Sequence, residues 1–265
     1  VFNEDSADID FRVESNGNAN AIFVNGGTDS VTIGAAGVTQ FLAGIAVASE
    51  NNSIFLSDSD IMDTSDTAAF DTVVGWGAGN ALTTGDGNVL IGYQAGTTIT
   101  TGGDNTFVGT DSGDGFDTES NNTGIGKGAL GGPIAGGEFN VAVGNYSLDA
   151  LTSGDQNIAI GYAAGTDLTE GATNVLIGHS AGTNITTASA SIFIGFESGL
   201  AATTNTENMG IGYRAGYAVT GTTATFIGYK AGQNNTDGND NTALGYQALG
   251  LGTITGDRNV GIGPH

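Results

Sequence analysis

A short apolar segment that ends in glycine recurs along most of the chain. It reads N-V-L-I-G at 88–92, N-I-A-I-G at 157–161 and N-V-G-I-G at 259–263. It occurs twelve times from residue 71 onward, and successive closing glycines lie 16 to 18 residues apart. The apolar positions have period two and are rich in β-branched residues, which predicts short strands rather than helices. Strands repeated at such a short, constant period predict an all-β parallel solenoid, or β-roll, with coils of about 17 residues.

Two columns of that solenoid are interpreted as structural. A glycine at every corner indicates positive φ or an approach too close for a Cβ atom. An Asn before each strand tolerates the left-handed conformation and can stack on its neighbours as a ladder of amides. The predicted corners are Gly75, Gly92, Gly109, Gly126, Gly144, Gly161, Gly178, Gly195, Gly212, Gly228, Gly245 and Gly263. The predicted ladder comprises Asn88, Asn105, Asn122, Asn140, Asn157, Asn174, Asn208, Asn241 and Asn259.

An aromatic residue follows the corner glycine in seven of the twelve coils. These residues are Trp76, Tyr93, Tyr162, Phe196, Tyr213, Tyr229 and Tyr246. We expect them to pack as a ladder between coils or chains, and the alternative is a platform on which saccharides stack. His179 takes the same slot, and we interpret it as a structural substitute for Tyr rather than as a catalytic base.

The strand pattern also leads to an expectation about packing. We expect the core of one coil to contain Val175, Ile177 and Ile185. The residue two places before the glycine alternates with the core position, so it is expected to point outward and to form a second, partner-covered face. That position holds Leu90, Phe107, Gly124, Ala142, Leu176, Phe193 and Phe226. A coil this thin has a small core, so we expect association with identical chains.

The composition excludes several classes of function. The 265 residues include 47 glycines, no cysteine and 28 acidic residues, and the formal net charge is −23. Such a charge repels phosphate and anionic lipid, so we expect no nucleic-acid binding. The longest apolar run, 41–48, is too short to span a bilayer, so no membrane insertion is expected. Without cysteine there are no disulfides and no thiol catalysis.

Candidate chemistry is sparse. The segment D-S-G-D-G-F-D places Asp111, Asp114 and Asp117 between glycines, which could direct three carboxylates onto one Ca²⁺ ion. A solvated acidic bend is the favoured interpretation, and no cofactor is expected to be required. Because no coil departs from the repeat to build a cleft, no catalytic residue and no enzyme activity are expected, although paired carboxylates of a polysaccharide hydrolase stay as a minor alternative.

The repeat units resemble those of a known family. N-T-A-L-G-Y-Q-A-L at 241–249 and N-I-A-I-G-Y-A-A-G at 157–165 are similar to repeats of bacteriophage tail-fibre proteins, and more distantly to the head repeats of trimeric autotransporter adhesins. Residues 1–15 and 21–34 resemble the β unit that precedes such repeats, and 259–263 resembles the join to a self-cleaving chaperone. The resemblance implies a homotrimeric β-roll, extracellular and attached to a virus particle. It covers about 1–34 and 71–263.

The expected organisation has three parts. Residues 1–36 form an N-terminal β-rich module, 37–70 a connector, and 71–265 the twelve-coil solenoid. Within the connector, S-I-F-L-S at 53–57 is a candidate degraded coil with Ser57 in the place of glycine.

The expected function is that of the shaft of a tail fibre, which supports attachment to a host cell-surface glycan or protein through flanking regions. The alternatives are a bacterial trimeric adhesin and a polysaccharide-degrading tailspike, and an ice-binding solenoid is a distant fourth.

Overall fold

The computed structural model describes the backbone of five strands between residues 11 and 56, and the residues 68–133 and 136–264. The chain divides into two compact units, Val1–Ile45 and Ala46–His265. In the first unit, strands β1 (Phe11–Ser15), β2 (Asn18–Asn25) and β3 (Ser30–Thr32) form an antiparallel sheet in the order β1-β2-β3.

The second unit is built on one sheet of fourteen strands that are neighbours in the order of the chain. β4 (Ala46–Ala48) runs antiparallel to β5 (Ser53–Leu56), and every later pair is parallel. The regular strands are β6 (Thr72–Val74), β7 (Val89–Ile91), β8 (Thr106–Val108), β9 (Thr123–Ile125), β10 (Val141–Val143), β11 (Ile158–Ile160), β12 (Val175–Ile177), β13 (Ile192–Ile194), β14 (Met209–Ile211), β15 (Thr225–Ile227), β16 (Thr242–Leu244) and β17 (Val260–Ile262). The predicted all-β parallel solenoid of about 17-residue coils is confirmed, and the described residues contain no helix.

Each coil contributes one three-residue strand, and the rest of the coil is bends. Val175, Leu176 and Ile177 pair one to one with Ile192, Phe193 and Ile194 in the next coil. The bends also bond to the coil above or below, so the hydrogen bonding continues around the coil. β5 joins this stack in register, with Phe55 opposite Val73, so the sheet extends to the N-terminal side of residue 71.

The prediction of which strand residues face the core is wrong. The pattern predicts that Val175 and Ile177 point inward and Leu176 outward, and the structure shows the reverse. Leu176 is fully buried, whereas Val175 and Ile177 on either side of it are only half-buried. In every strand from β6 to β16 the middle residue is likewise buried and its two neighbours are half-buried or exposed. The reason is the preceding Asn174, whose side chain is itself fully buried. A polar residue therefore takes the first inward position, and the alternation from it turns the middle residue of each strand inward. Ile185, in the bend, is buried as expected.

The core is a single narrow column between the strand and the bend. Bend residues such as Ile99, Phe116 and Leu168 are fully buried opposite the strand. The Ala or Ser three residues after the corner glycine is fully buried or nearly so in each of the first eleven regular coils, which leaves no space for a larger side chain.

Candidate functional site

The corner glycines form a column in which no other residue fits. Gly178 has φ +137°, and a Cβ atom added to it would lie 2.4 Å from the carbonyl oxygen of Gly195 in the next coil. The twelve corner glycines all have φ between +111° and +143°. Since an L side chain rarely adopts this conformation, the backbone itself requires glycine here.

The Asn side chains form a buried ladder of hydrogen bonds. The Oδ1 atom of Asn157 accepts from both the backbone N and Nδ2 of Asn174, each at 3.0 Å. Nδ2 of Asn174 also donates to the carbonyl of Ala188 in a neighbouring bend at 2.8 Å. The amides of Asn105, Asn140, Asn157, Asn174 and Asn259 thus each tie a strand to the strand before it and to a bend. Ser191 takes part in the same column.

The aromatic residues lie outside the coils and stack on one another. Six rings form a continuous column with centroid separations of 5.1–5.3 Å, and they belong to Tyr162, His179, Phe196, Tyr213, Tyr229 and Tyr246. Trp76 and Tyr93 make a separate stacked pair at 5.1 Å. Between the two groups the slot holds Thr110, Lys127 and Asn145.

This stacking limits what the rings can bind. Interplanar angles of 6–25° in the six-ring column place the face of each inner ring against its neighbours. A saccharide that stacks on an aromatic face needs that face free. The inner rings therefore present their edges to solvent rather than flat platforms. His179 lies within the column, and its Nδ1 is 3.0 Å from the hydroxyl of Ser180.

The outward residues of the strands form an uncharged, mostly aliphatic surface. The third residue of every regular strand is Val, Ile or Leu and faces out, and the side chains at Ile160 and Leu244 are 39% and 46% exposed. The first residue is Val, Ile, Thr or Met. We call these two columns the outward sheet face. The sequence contained the signal, because the third position is always aliphatic, but the buried Asn had to be recognised as an inward residue.

Charged residues lie at the two margins of the outward sheet face. Asp86, Asp104, Asp155, Glu207 and Asp240 are exposed within the two residues before the Asn ladder. On the opposite margin, at and just after the ring column, lie three of the five cationic residues, Lys127, Arg214 and Lys230, together with two carboxylates, Asp111 and Glu197.

The cations at this margin contact aromatic rings. Arg214 pairs with Glu197 at 2.6 Å and lies over Tyr213. Lys127 lies over Tyr146 and Lys230 over Tyr229, and neither makes a salt bridge to a described carboxylate.

The three carboxylates weighed as a calcium site do not come together. Asp117 accepts a hydrogen bond from the hydroxyl of Thr100 instead. No group of three or more His, Cys, Asp or Glu residues among those described could hold a metal ion. Burial, together with the charges of Asp111 and Asp149, raises the pKa of Asp114 to about 6. Burial also raises the pKa of Asp149, which occupies the corresponding bend two coils later.

A hollow of about 170 Å³ lies at the C-terminal end of the stack. Leu249, Leu251, Ile254 and Ile262 line it with neighbouring glycines, and Gln247 is its one polar side chain. This lining contains no nucleophile and no acid or base.

The geometry defines a class of protein, the parallel β-solenoid repeat proteins. The described residues contain no helix that is long and apolar enough to cross a membrane. Comparisons with protein-family models, with curated proteins and with solved structures found no match to this chain.

Proposed function

We propose that this chain is the shaft of a bacteriophage tail fibre, assembled as a homotrimer outside the cell and supporting attachment of the particle to its host. The observation that carries the proposal is the uniformity of the stack. Twelve regular strands, each in register with the next, give a rod about 58 Å long at the usual strand spacing of about 4.8 Å. Stacked coils with buried polar ladders suit a rigid spacer.

The absence of a reactive cleft in the described coils supports a mechanical role. The glycine, Asn and aromatic columns make contacts between coils, and the hollow at the last coil has a mostly apolar lining. An active site requires an asymmetric arrangement of reactive groups, and regular columns supply none. In this proposal, host recognition belongs to flanking regions that contact a cell-surface glycan or protein.

Localisation on the particle is the direct test. Antibodies raised against residues 68–264 and coupled to gold should label the tail fibres of virus particles in the electron microscope. Label on the surface of uninfected bacteria would instead support the trimeric adhesin. Release of reducing sugar from host capsule by the purified protein would support the polysaccharide-degrading tailspike, and either result would overturn the proposal.

A further inference from the structure

The outward sheet face is uncharged and mostly aliphatic, which is not expected of a solvent-exposed surface on a chain this acidic. The twelve regular strands contain no charged residue, although the whole chain carries 28 acidic residues. The third strand position is aliphatic in all twelve strands, and Ile125, Ile160 and Leu244 are each about 40% exposed or more in the single chain. A continuous aliphatic column on a strongly acidic protein indicates a surface that another molecule covers.

The size of the face fits a stable interface between proteins. Twelve strands at about 4.8 Å and three residues at about 3.3 Å each give a surface of roughly 58 by 10 Å. The adjoining ring column widens it, so the area that each chain offers to its two neighbours together approaches the roughly 800 Å² that one partner buries in a standard interface.

The two margins of the face are complementary in charge. The margin before the Asn ladder carries mainly exposed carboxylates, among them Asp104 and Glu207, and one cation, Arg258. The margin at the ring column carries Lys127, Arg214 and Lys230 beside two carboxylates, Asp111 and Glu197, so the two margins still differ in the sign of their net charge. The ammonium groups of Lys127 and Lys230 make no salt bridge to a described carboxylate of their own chain. In a closed ring of identical chains, one margin of each chain meets the other margin of the next.

We infer that the outward sheet face is the surface through which three copies of this chain associate in parallel. Aliphatic residues of the third strand position lie at the centre of the contact, and the ring column of one copy lies against the acidic margin of its neighbour. The inference rests on the proposed function for the number of copies. The sequence pattern places this interface at the middle residue of each strand. In the inferred trimer the outward residues on either side of the middle residue form the contact instead.

The first test is the molar mass in solution, measured by size-exclusion chromatography with light scattering. The parent protein should have three times the 26.3 kDa mass of one chain. Ile160→Glu combined with Leu244→Glu should give a single-chain mass while the β-type circular dichroism is kept, because both side chains are exposed in the isolated coil stack. Thr187→Glu, at an exposed bend position away from the strand, is the matched control and should keep three chains.

A second set of variants tests the charged margins and leaves the strand residues unchanged. Lys127→Glu combined with Lys230→Glu should weaken association about tenfold or more, and Asp104→Lys combined with Glu207→Lys should restore it in the same chain.

A single-chain mass for the parent protein would overturn the inference. So would three chains in the Ile160→Glu, Leu244→Glu variant, although the shaft proposal would then stand. If the parent is a single chain and co-sediments with host capsule polysaccharide through this face, the face binds saccharide instead. Gold labelling of the particle tests the shaft proposal independently of all these outcomes.

Discussion

Nδ2 of Asn174 donates to Oδ1 of Asn157 at 3.0 Å, and both side chains are fully buried. Asn157→Ala removes the acceptor of Asn174 and the donor to the carbonyl of Gly171. Because these groups stay buried, we expect a loss of about 2–4 kcal/mol in the free energy of unfolding. Chemical denaturation measures it.

The control for this prediction is Asn80→Ala, at an exposed position, which should change little. Asn157→Ser should lie between the two, since Ser191 occupies the same column. Equal stability of Asn157→Ala and Asn80→Ala would contradict the ladder's role.

Replacement of a corner glycine should be far more damaging than replacement of a loop glycine. At Gly178 the added Cβ atom would meet backbone of the next coil at 2.4 Å, and φ is +137°. Backbone cannot move away as a flexible side chain can, so Gly178→Ala should lower the thermal midpoint strongly or prevent folding. Gly252→Ala meets nothing within 4 Å and is the control. Circular dichroism on heating separates the two outcomes.

The core column shows size complementarity between successive coils. A Cβ atom on Gly210 would lie 2.7 Å from the backbone oxygen of Ala215 and 2.8 Å from the ring of Phe193. Gly210→Ala should therefore cost about 1–3 kcal/mol through overpacking. The double variant with Phe193→Leu should recover part of that loss, because the smaller side chain frees space. A double-mutant cycle measures the coupling, and strictly additive effects would count against direct contact.

Stability should depend on pH through Asp114. Its pKa is about 6 in the folded chain, above the ordinary value of 3.8, so the folded state binds the proton more tightly than the unfolded state. The stabilisation is fully present below about pH 3.8 and is lost as the pH rises through about 6. The contribution of Asp114 should therefore make the thermal midpoint of the parent fall between about pH 4 and about pH 6, with no further fall from this group at higher pH.

In Asp114→Asn this part of the pH dependence should disappear, and stability near neutral pH should rise. Asp167→Asn, at an exposed position, serves as the control. A parent midpoint that rises across the same interval would refute the assignment to Asp114.

His179 should be replaceable by an aromatic residue. It stacks between Tyr162 and Phe196 at 5.1 and 5.2 Å, so His179→Tyr should keep or raise the thermal midpoint. His179→Ala removes two ring contacts of about 0.5–1.5 kcal/mol each and should lower it. Near-ultraviolet circular dichroism reports the ring column directly. A larger loss in the Tyr variant than in the Ala variant would exclude the structural interpretation.

The coil period, the strand positions and the absence of helices in the described coils were predictable because glycine, Asn and β-branched residues recur in fixed order. The direction of the strand side chains was not. Leu176 and Ile177 are equally apolar, and only the burial of Asn174 decides which of them faces the core. A one-residue error in that phase exchanges core and surface along the whole rod.

The candidate site was also predictable only in part. The sequence positions of the glycine, Asn and aromatic columns could be predicted, but the contacts that these residues make could not. That the rings cover one another's faces follows from the coil geometry, and that Asp117 turns toward Thr100 rather than toward Asp114 depends on a neighbouring coil. Spacing within a single coil contains no information about either.

Asn140 and Asn157 each receive from the coil before them the same two hydrogen bonds that they offer to the coil after them, so this part of the stack has no unique centre. A stretch of about seventeen residues can therefore be duplicated or deleted by recombination, because the coils brought together by the change make the same kind of contacts. Every such event changes the reach of the rod by one strand spacing. Length is thus a trait that selection can adjust in small equal steps without redesigning any contact.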